Sequence, residues 1–185
     1  MVWLIDPIDG TINFIHQQRN FAISVGVYEN GIGKIGLVYD VARDELYHAM
    51  KGQGAYVNGK KIQVLEPARV KESIIALNAT WLMENKRIDH RLLIPLAMNA
   101  RGTRSYGTAA LELMLVAMGR VDAYISLRLS PWDIGGGAVI VEEVGGIVTN
   151  LRGKELDFLS QDTLLVAKPG LHQEILRNYL KNGNW

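Results

Sequence analysis

A chain of 185 residues with 20 Lys and Arg against 19 Asp and Glu, four His and no Cys has the length of one compact unit or two very small ones, and its 48% hydrophobic and 21% charged residues exclude disorder. A net charge of +1 argues against a dedicated nucleic-acid binder, and the lack of cysteine excludes a disulfide scaffold, a thiolate zinc site and a cysteine nucleophile while fitting a reducing cytoplasm. No apolar run approaches the ~20 residues of a membrane span, and no secretory signal opens the chain.

Residues 2–5 read as a buried strand, which needs neighbours on both faces; the expectation is that something normally precedes it. Residues 21–28 put Phe21, Ile23, Val25 and Val27 on one face and small residues on the other. Asn30-Gly31 and Asn58-Gly59 are hairpin signals, because both central residues of a type I′ turn need positive φ. With strands over 35–39 and 45–49, this region reads as an antiparallel meander. After Pro67 the character changes. A strand over 73–77 is followed by helical spacing over 92–100. Thr108 is placed to cap a helix carrying Leu111, Leu115 and Met118 that ends at Gly119. A strand over 121–126, a helix over 132–144 ended by Gly145-Gly146, a strand over 163–167 and a helix over 171–180 complete the chain. Alternating strands and helices predict helices layered on a mixed sheet. The expected division is 1–67, an α+β half with the meander, and 68–185, an α/β half, packed as one unit with a cleft between them.

Asp6-Pro7-Ile8-Asp9-Gly10-Thr11-Ile12-Asn13-Phe14 is the strongest local signal. In a regular strand, residues three apart point to opposite faces. A turn set by Pro7 and released at Gly10 lets Asp6 and Asp9 converge, with the Ile8 carbonyl between them. Two carboxylates and a carbonyl are hard oxygen ligands suited to Mg²⁺ or Mn²⁺. The N–H groups of Gly10 and Thr11 are placed to hold a phosphate, particularly where a helical turn starts there. A plain turn rich in Asp and Gly is the competing reading. In Ser130-Pro131-Trp132-Asp133, the spacing matches a capping box with Pro at the first helical position. Gly135-Gly136-Gly137 fits capping alone poorly, since each glycine costs about 1 kcal/mol in a helix; close approach of another backbone or a ligand explains them. Asp133 then presents a third carboxylate, and capping and ligation exclude each other only partly. Gly31-Ile32-Gly33-Lys34-Ile35-Gly36 spells a dinucleotide fingerprint, but in a hairpin rather than before a helix, so it is discarded. His16, His48, His90 and His172 show no metal-ligand spacing and read as surface or loop residues. Arg104 and Arg128 lie near the cleft elements and can meet an anion.

Together these segments resemble the inositol monophosphatase family of magnesium-dependent, lithium-sensitive sugar and nucleotide phosphatases. Residues 3–14 are similar to its first signature and residues 131–146 to its second. Arg104-Ser105-Tyr106-Gly107-Thr108-Ala109-Ala110 and Gly119-Arg120-Val121-Asp122-Ala123-Tyr124 match between them, in order, over nearly the whole chain. The resemblance implies an α/β (α+β) fold, a layered α-β-α-β-α sandwich, here truncated at its N-terminus. It implies two or three Mg²⁺ ions, with Mn²⁺ as a substitute, held by Asp6, the Ile8 carbonyl, Asp9 and Asp133. Gly10 and Thr11 would bind the phosphate, and Asp6, Asp9 and Thr11 would serve the attack of a metal-activated water. Gly107, Thr108, Ala109, Ser126 and Asp133 would line the pocket for the alcohol half of the substrate. The reaction implied is phosphomonoester hydrolysis on a small phosphorylated substrate in the cytoplasm, without nucleic acid or membrane, by a protein that is a homodimer when intact.

Two departures from the family pattern are visible. Family members carry an N-terminal helical region with one more acidic metal ligand, which this chain lacks. The expectation is an impaired, self-associating fragment, and Glu142 and Glu143 are the nearest substitutes by motif. Inositol-preferring members also carry glutamate seven residues before the second-signature aspartate, where this chain has Ser126. That points away from inositol phosphate and leaves sugar phosphates, NADP(H) or bisphosphorylated nucleotides open. A remnant that binds phosphates or a partner without turnover is the reading from a different class.

Overall fold

The computed structural model describes residues 1–185. The first half forms β1 (Val2–Asp9), α1 (Thr11–Gln17), β2 (Ala22–Glu29), β3 (Ile32–Asp40), β4 (Glu45–Met50), β5 (Ala55–Val57) and β6 (Lys60–Lys61). The six strands pair in sequence order as one antiparallel sheet. Asn30 and Gly31, and Asn58 and Gly59, all take positive φ, as the hairpin reading requires. The second half forms β7 (Ile74–Leu77), α2 (Leu93–Asn99), β8 (Gly102–Arg104), α3 (Ala109–Ala117), β9 (Ala123–Leu129), α4 (Pro131–Glu143), β10 (Ile147–Thr149), β11 (Asp162–Ala167) and α5 (Leu171–Asn178). Its sheet runs β10-β11-β9-β7-β8 and is mixed, with β7 parallel to β8 and β9 and the remaining pairs antiparallel. No helix is long and apolar enough to cross a membrane.

Helices α3 and α4 lie between the sheets. One core cluster joins Leu4, Ala22, Tyr28 and Val38 of the first sheet to Leu113, Ile140 and Val141 of the helices and to Tyr124 and Leu164 of the second sheet. A second cluster, including Leu93, Leu96, Leu171 and Ile175, covers the far face of the second sheet with α2 and α5. The layers are therefore sheet, helices, sheet, helices.

Where α4 crosses it, the first sheet packs through small residues, flanked by Leu4, Tyr28 and Val38. Ala22 and Ser24 are fully buried, and Gly26 and Gly36 face α4: a Cβ on Gly36 would lie 2.2 Å from the Gly136 carbonyl oxygen. Backbone meets backbone there, which accounts for the glycine run in α4. The opposite face carries Trp3 (61% exposed), Ile5 (53%), Ile23 (40%), Leu46 (39%) and Met50 (47%). Residues 2–5 form the expected strand, β1, with Leu4 buried and Val2, Trp3 and Ile5 exposed. Pro7, which lacks an N–H, falls in the irregularity of β1 between Asp6 and Asp9, where it has no ladder partner. His172 departs from the surface expectation. It is buried on α5, and its Nε2 lies 2.8 Å from Thr149 Oγ1.

Candidate active site

Strand β1 achieves by a bulge what a turn was expected to do. Asp6 pairs with Ser24 and Asp9 with Ala22, so Pro7 and Ile8 of β1 together face Ile23 of β2. The extra residue reverses the alternation, and both carboxylates emerge on the face shared by Ala22 and Ser24. Gly10 then takes φ +83, and α1 begins at Thr11. Asp6 Oδ1 accepts the Ile8 N–H at 3.0 Å, and the Thr11 hydroxyl donates to the Ile8 carbonyl at 3.0 Å.

Asp133 arrives from the N-terminus of α4. The capping box is formed, with the Ser130 N–H donating to Asp133 Oδ2 at 2.7 Å. Capping does not remove Asp133 from the chemistry, since carboxylate oxygens of Asp6, Asp9 and Asp133 all lie within 4.8 Å of one another. None of the three is in an ion pair; the chain's ion pairs are Lys34–Glu29, Arg43–Asp40, Arg91–Asp89 and Lys168–Asp122. Burial pushes the Asp9 carboxyl up to about 6, opposed by its hydrogen bonds to Thr108 and Ala110 and reinforced by the charges of Asp6 and Asp133. Asp133 is raised as well, mainly by burial. Three converging anionic oxygen donors without a counter-cation fit a hard divalent ion, which removes their mutual repulsion.

Asp9 also organises α3. Thr108 occupies the N-cap position but makes no side-chain cap bond; its hydroxyl donates to Asp9 Oδ2, and the Ala110 N–H donates to the same oxygen at 2.7 Å. The capping group of α3 therefore comes from β1, across the fold. Two residues that sequence reasoning missed hold the neighbouring segment. Asn13 Nδ2 donates to the Tyr106 carbonyl at 2.7 Å and to that of Asn20 at 2.9 Å. Glu112, buried on α3, accepts the Tyr106 N–H at 2.7 Å, and burial raises its carboxyl. A lone acid in the apolar run of α3 was the available signal for Glu112.

Beside the carboxylates opens a cavity of about 260 Å³, lined in part by Asp9, Gly107, Thr108, Ala109, Ser126 and Asp133. The substrate-side residues expected from the sequence thus share one wall. Asn78, Trp81, Arg128 and Leu129 line it too, whereas Arg104 is exposed on β8 and its guanidinium donates to the Thr103 carbonyl. Glu142 and Glu143 are not near the cluster. They lie at the other end of α4, where Glu143 accepts the Gly52 and Gly54 N–H groups at 2.7 Å.

A layered α/β fold with an acidic cluster between a strand end and a helix N-terminus defines a class of candidate metal-dependent hydrolases. The model of the inositol monophosphatase family matches residues 1–183, and the chain belongs to that family. It is 56% identical over 180 residues to the inositol-1-monophosphatase of Bacillus subtilis (strain 168), a phosphoric monoester hydrolase, covering 97% of this chain and 68% of the relative. It is 38% identical over 176 residues to the fructose-1,6-bisphosphatase/inositol-1-monophosphatase of Thermotoga maritima, covering 95% of this chain and 66% of the relative. Crystal structures of SaIMPase-II superpose with TM-score 0.94 in the inositol monophosphate complex (46% identity, 97% of this chain and 69% of that one) and 0.95 in the 2′-AMP complex (45% identity, 98% and 70%). The chain spans about two thirds of the length of these proteins.

Proposed function

We propose that the chain carries the catalytic half-sites of a divalent-metal-dependent phosphomonoesterase acting on small phosphorylated sugars or nucleotides. The observation that carries this reading is the convergence of Asp6, Asp9 and Asp133 without an ion-pair partner, beside a polar cavity. Asp6, the Ile8 carbonyl, Asp9 and Asp133 would hold the ions, with Mg²⁺ the ion that hard oxygen donors favour and Mn²⁺ a substitute; lithium inhibition is what membership of the family implies. When bound, such ions lower the pKa of water and offset charge on the attacking and leaving oxygens. The N–H groups at the start of α1, which have no partner one turn earlier, would hold the phosphate at Gly10 and Thr11. The Thr11 hydroxyl spends its proton on the Ile8 carbonyl and keeps lone pairs to orient a water. Gly107, Thr108, Ala109, Ser126 and Asp133 would receive the alcohol half. Ser126 is neutral, so it adds no charged acceptor for ring hydroxyls. The named ligands and activities of the relatives, inositol monophosphate, 2′-AMP and fructose 1,6-bisphosphate, support a broad substrate range. The reading places the protein in the cytoplasm without nucleic-acid or membrane partners.

The test is phosphate release from inositol 1-phosphate, fructose 1,6-bisphosphate, 2′-AMP and NADP, with Mg²⁺ or with EDTA. Release that requires Mg²⁺ and is lost in Asp133→Asn supports the reading. Release unaffected by chelation, or Mg²⁺ binding in calorimetry that Asp133→Asn leaves unchanged, sinks it.

A further inference from the structure

Between β10 and β11 the chain runs through residues 150–161, and residues 155–161 join no strand or helix. Side chains fix this strap against α4. Glu155 shares a cavity with Glu142, at the C-terminal end of α4. Asp157 then folds the strap: its Oδ1 accepts the Leu159 N–H at 3.0 Å, its Oδ2 accepts the Ser160 hydroxyl at 3.2 Å, and its carbonyl accepts the Ser160 N–H at 3.3 Å. The turn sends Phe158 onto the core between the sheets and leaves Leu159 78% exposed. Phe158 lies on Tyr28, with ring centroids 4.4 Å apart, and the buried Tyr28 hydroxyl donates to the Gly135 carbonyl of α4 at 2.9 Å. Gln161 ends the strap at the N-terminus of α4, where its Nε2 donates to Ser130 Oγ at 3.0 Å. Ser130 is the residue whose N–H holds Asp133 Oδ2.

The strap thus grips α4 on either side of Asp133, at Ser130 directly and at Gly135 through Tyr28. Neither contact is needed to start the helix, which Pro131 and the Ser130–Asp133 cap do locally. Their effect is on position. Carboxylates that repel one another move apart unless the elements carrying them are tied down, and groups that orient a ligand from behind govern ion affinity. Phe158 and Gln161 do not line the cavity beside the acidic cluster, so they act through Tyr28 and Ser130. We infer that Phe158 and Gln161 are positioning residues that fix the N-terminal turns of α4, so that Asp133 stays within reach of Asp6 and Asp9 independently of any ion. This rests on the metal-dependent reading above and deepens it by naming the segment that preorganises the third carboxylate.

The test uses variants of the full chain. Gln161→Met keeps the reach of the side chain and removes the donor. Phe158→Ala removes the ring, Phe158→Leu keeps part of the packing, and Leu159→Ser alters the strap on its exposed side. Amide hydrogen exchange of the metal-free chain is followed by mass spectrometry over residues 130–138, and Mg²⁺ is titrated calorimetrically. In Gln161→Met and Phe158→Ala, exchange over this segment speeds up by about fivefold, the size expected of one lost hydrogen bond or its equivalent. Mg²⁺ binds about tenfold more weakly, the size expected when a ligand loses an outer partner. Phe158→Leu recovers part of both effects, and Leu159→Ser stays within about twofold of the wild type. A merely structural role would speed exchange throughout the chain and leave Mg²⁺ affinity alone. Unchanged Mg²⁺ affinity in Gln161→Met, exchange that rises equally everywhere, a shift in Leu159→Ser as large as theirs, or a wild type that binds no Mg²⁺ overturns the inference. If Phe158→Ala fails to fold, Gln161→Met decides alone, since Gln161 is exposed. If exchange and Mg²⁺ affinity move as described while no substrate releases phosphate, the phosphatase reading fails and the positioning role stands.

Discussion

At the residue scale, Asp9 couples structure to chemistry. One oxygen, Oδ2, takes the Thr108 hydroxyl and the Ala110 N–H, while the carboxylate also belongs to the acidic cluster. Two substitutions separate these roles. Asp9→Asn keeps an acceptor for α3 and removes a charge that burial and its neighbours disfavour, so stability without metal should move by less than about 1 kcal/mol while Mg²⁺-dependent turnover falls by about a hundredfold or more. Asp9→Ala strands two buried donors and should cost about 2–4 kcal/mol in addition. Urea unfolding and phosphate release on both variants check the pair; equal stability losses would mean that Asp9 does not cap α3. His172 carries a separate, pH-dependent contribution. Burial lowers its imidazole from 6.5 to about 4, so it stays neutral in the folded chain at a pH where the unfolded chain has taken up a proton. Its contribution is intact above pH 6.5 and is lost as pH falls from 6.5 to 4, about 3 kcal/mol in all at roughly 1.4 kcal/mol per unit. His172→Gln should flatten this part of the stability curve. Parallel curves for the two proteins between pH 6.5 and 4 would assign the acid sensitivity to other groups.

At the element scale, α4 sets the spacing between its own N-terminus and the first sheet. An added Cβ on Gly136 would sit 2.6 Å from the Leu37 carbonyl oxygen and 2.8 Å from both Ser24 Oγ and the Val25 carbonyl oxygen. Two of these are backbone atoms of a paired sheet and cannot swing aside. Alanine improves helix propensity by about 1 kcal/mol, but overpacking against backbone costs about 1–3 kcal/mol or more. The steric cost wins. Gly136→Ala should therefore destabilise the fold by about 1–2 kcal/mol, lowering Tm by about 2–8 °C. It should also reduce turnover, because Asp133 rides on the same helix. A rise in Tm would show that the helix stands off the sheet by more than the structure has it.

At the scale of the whole molecule, the first sheet presents helices on one face and solvent on the other. Trp3, Ile5, Ile23, Leu46 and Met50 are exposed there, beside half-buried Val25, Ile35 and Leu37. Register places Trp3 beside Val27 and Ile35, and Ile5 beside Val25 and Leu37, so the patch is continuous across strands. Contiguous apolar patches beyond a few hundred Å² favour association. The 185-residue chain should therefore self-associate with rising concentration in light scattering and bind a hydrophobic dye. The double variant Ile23→Lys and Leu46→Lys, which charges the centre of the face without touching the helix side, should shift it toward monomer. A wild-type chain that stays monomeric at every concentration would contradict this.

The sequence by itself determined what depends on local backbone preference. The Asn-Gly hairpins, the capping box at Ser130–Asp133, the Gly119 and Gly145 helix ends and the core of each longer strand are properties of a few consecutive residues, and they stand where φ, ψ and hydrophobic period put them. The family motifs carried Asp6, Asp9 and Asp133 to one point. Tertiary structure decided what depends on a partner. The period-2 pattern of β2 marks Ile23 and Val25 as a hydrophobic face, yet the small face of Ala22, Ser24 and Gly26 is the one that packs, because α4 brings its own backbone so close that only small residues fit. Pairing with β2 turned Pro7-Ile8 into a bulge, and with it set the side on which Asp6 and Asp9 emerge. Strands β8 and β10, three residues each, carry too little pattern to be read alone and exist through their neighbours. Thr108 gives its hydroxyl to Asp9 instead of its own helix, His172 is buried against Thr149, and Arg128 faces the cavity without a counter-ion. Each of these depends on a group distant in the chain, and a hydrogen bond or a burial cost belongs to the pair of groups, not to either residue's local sequence.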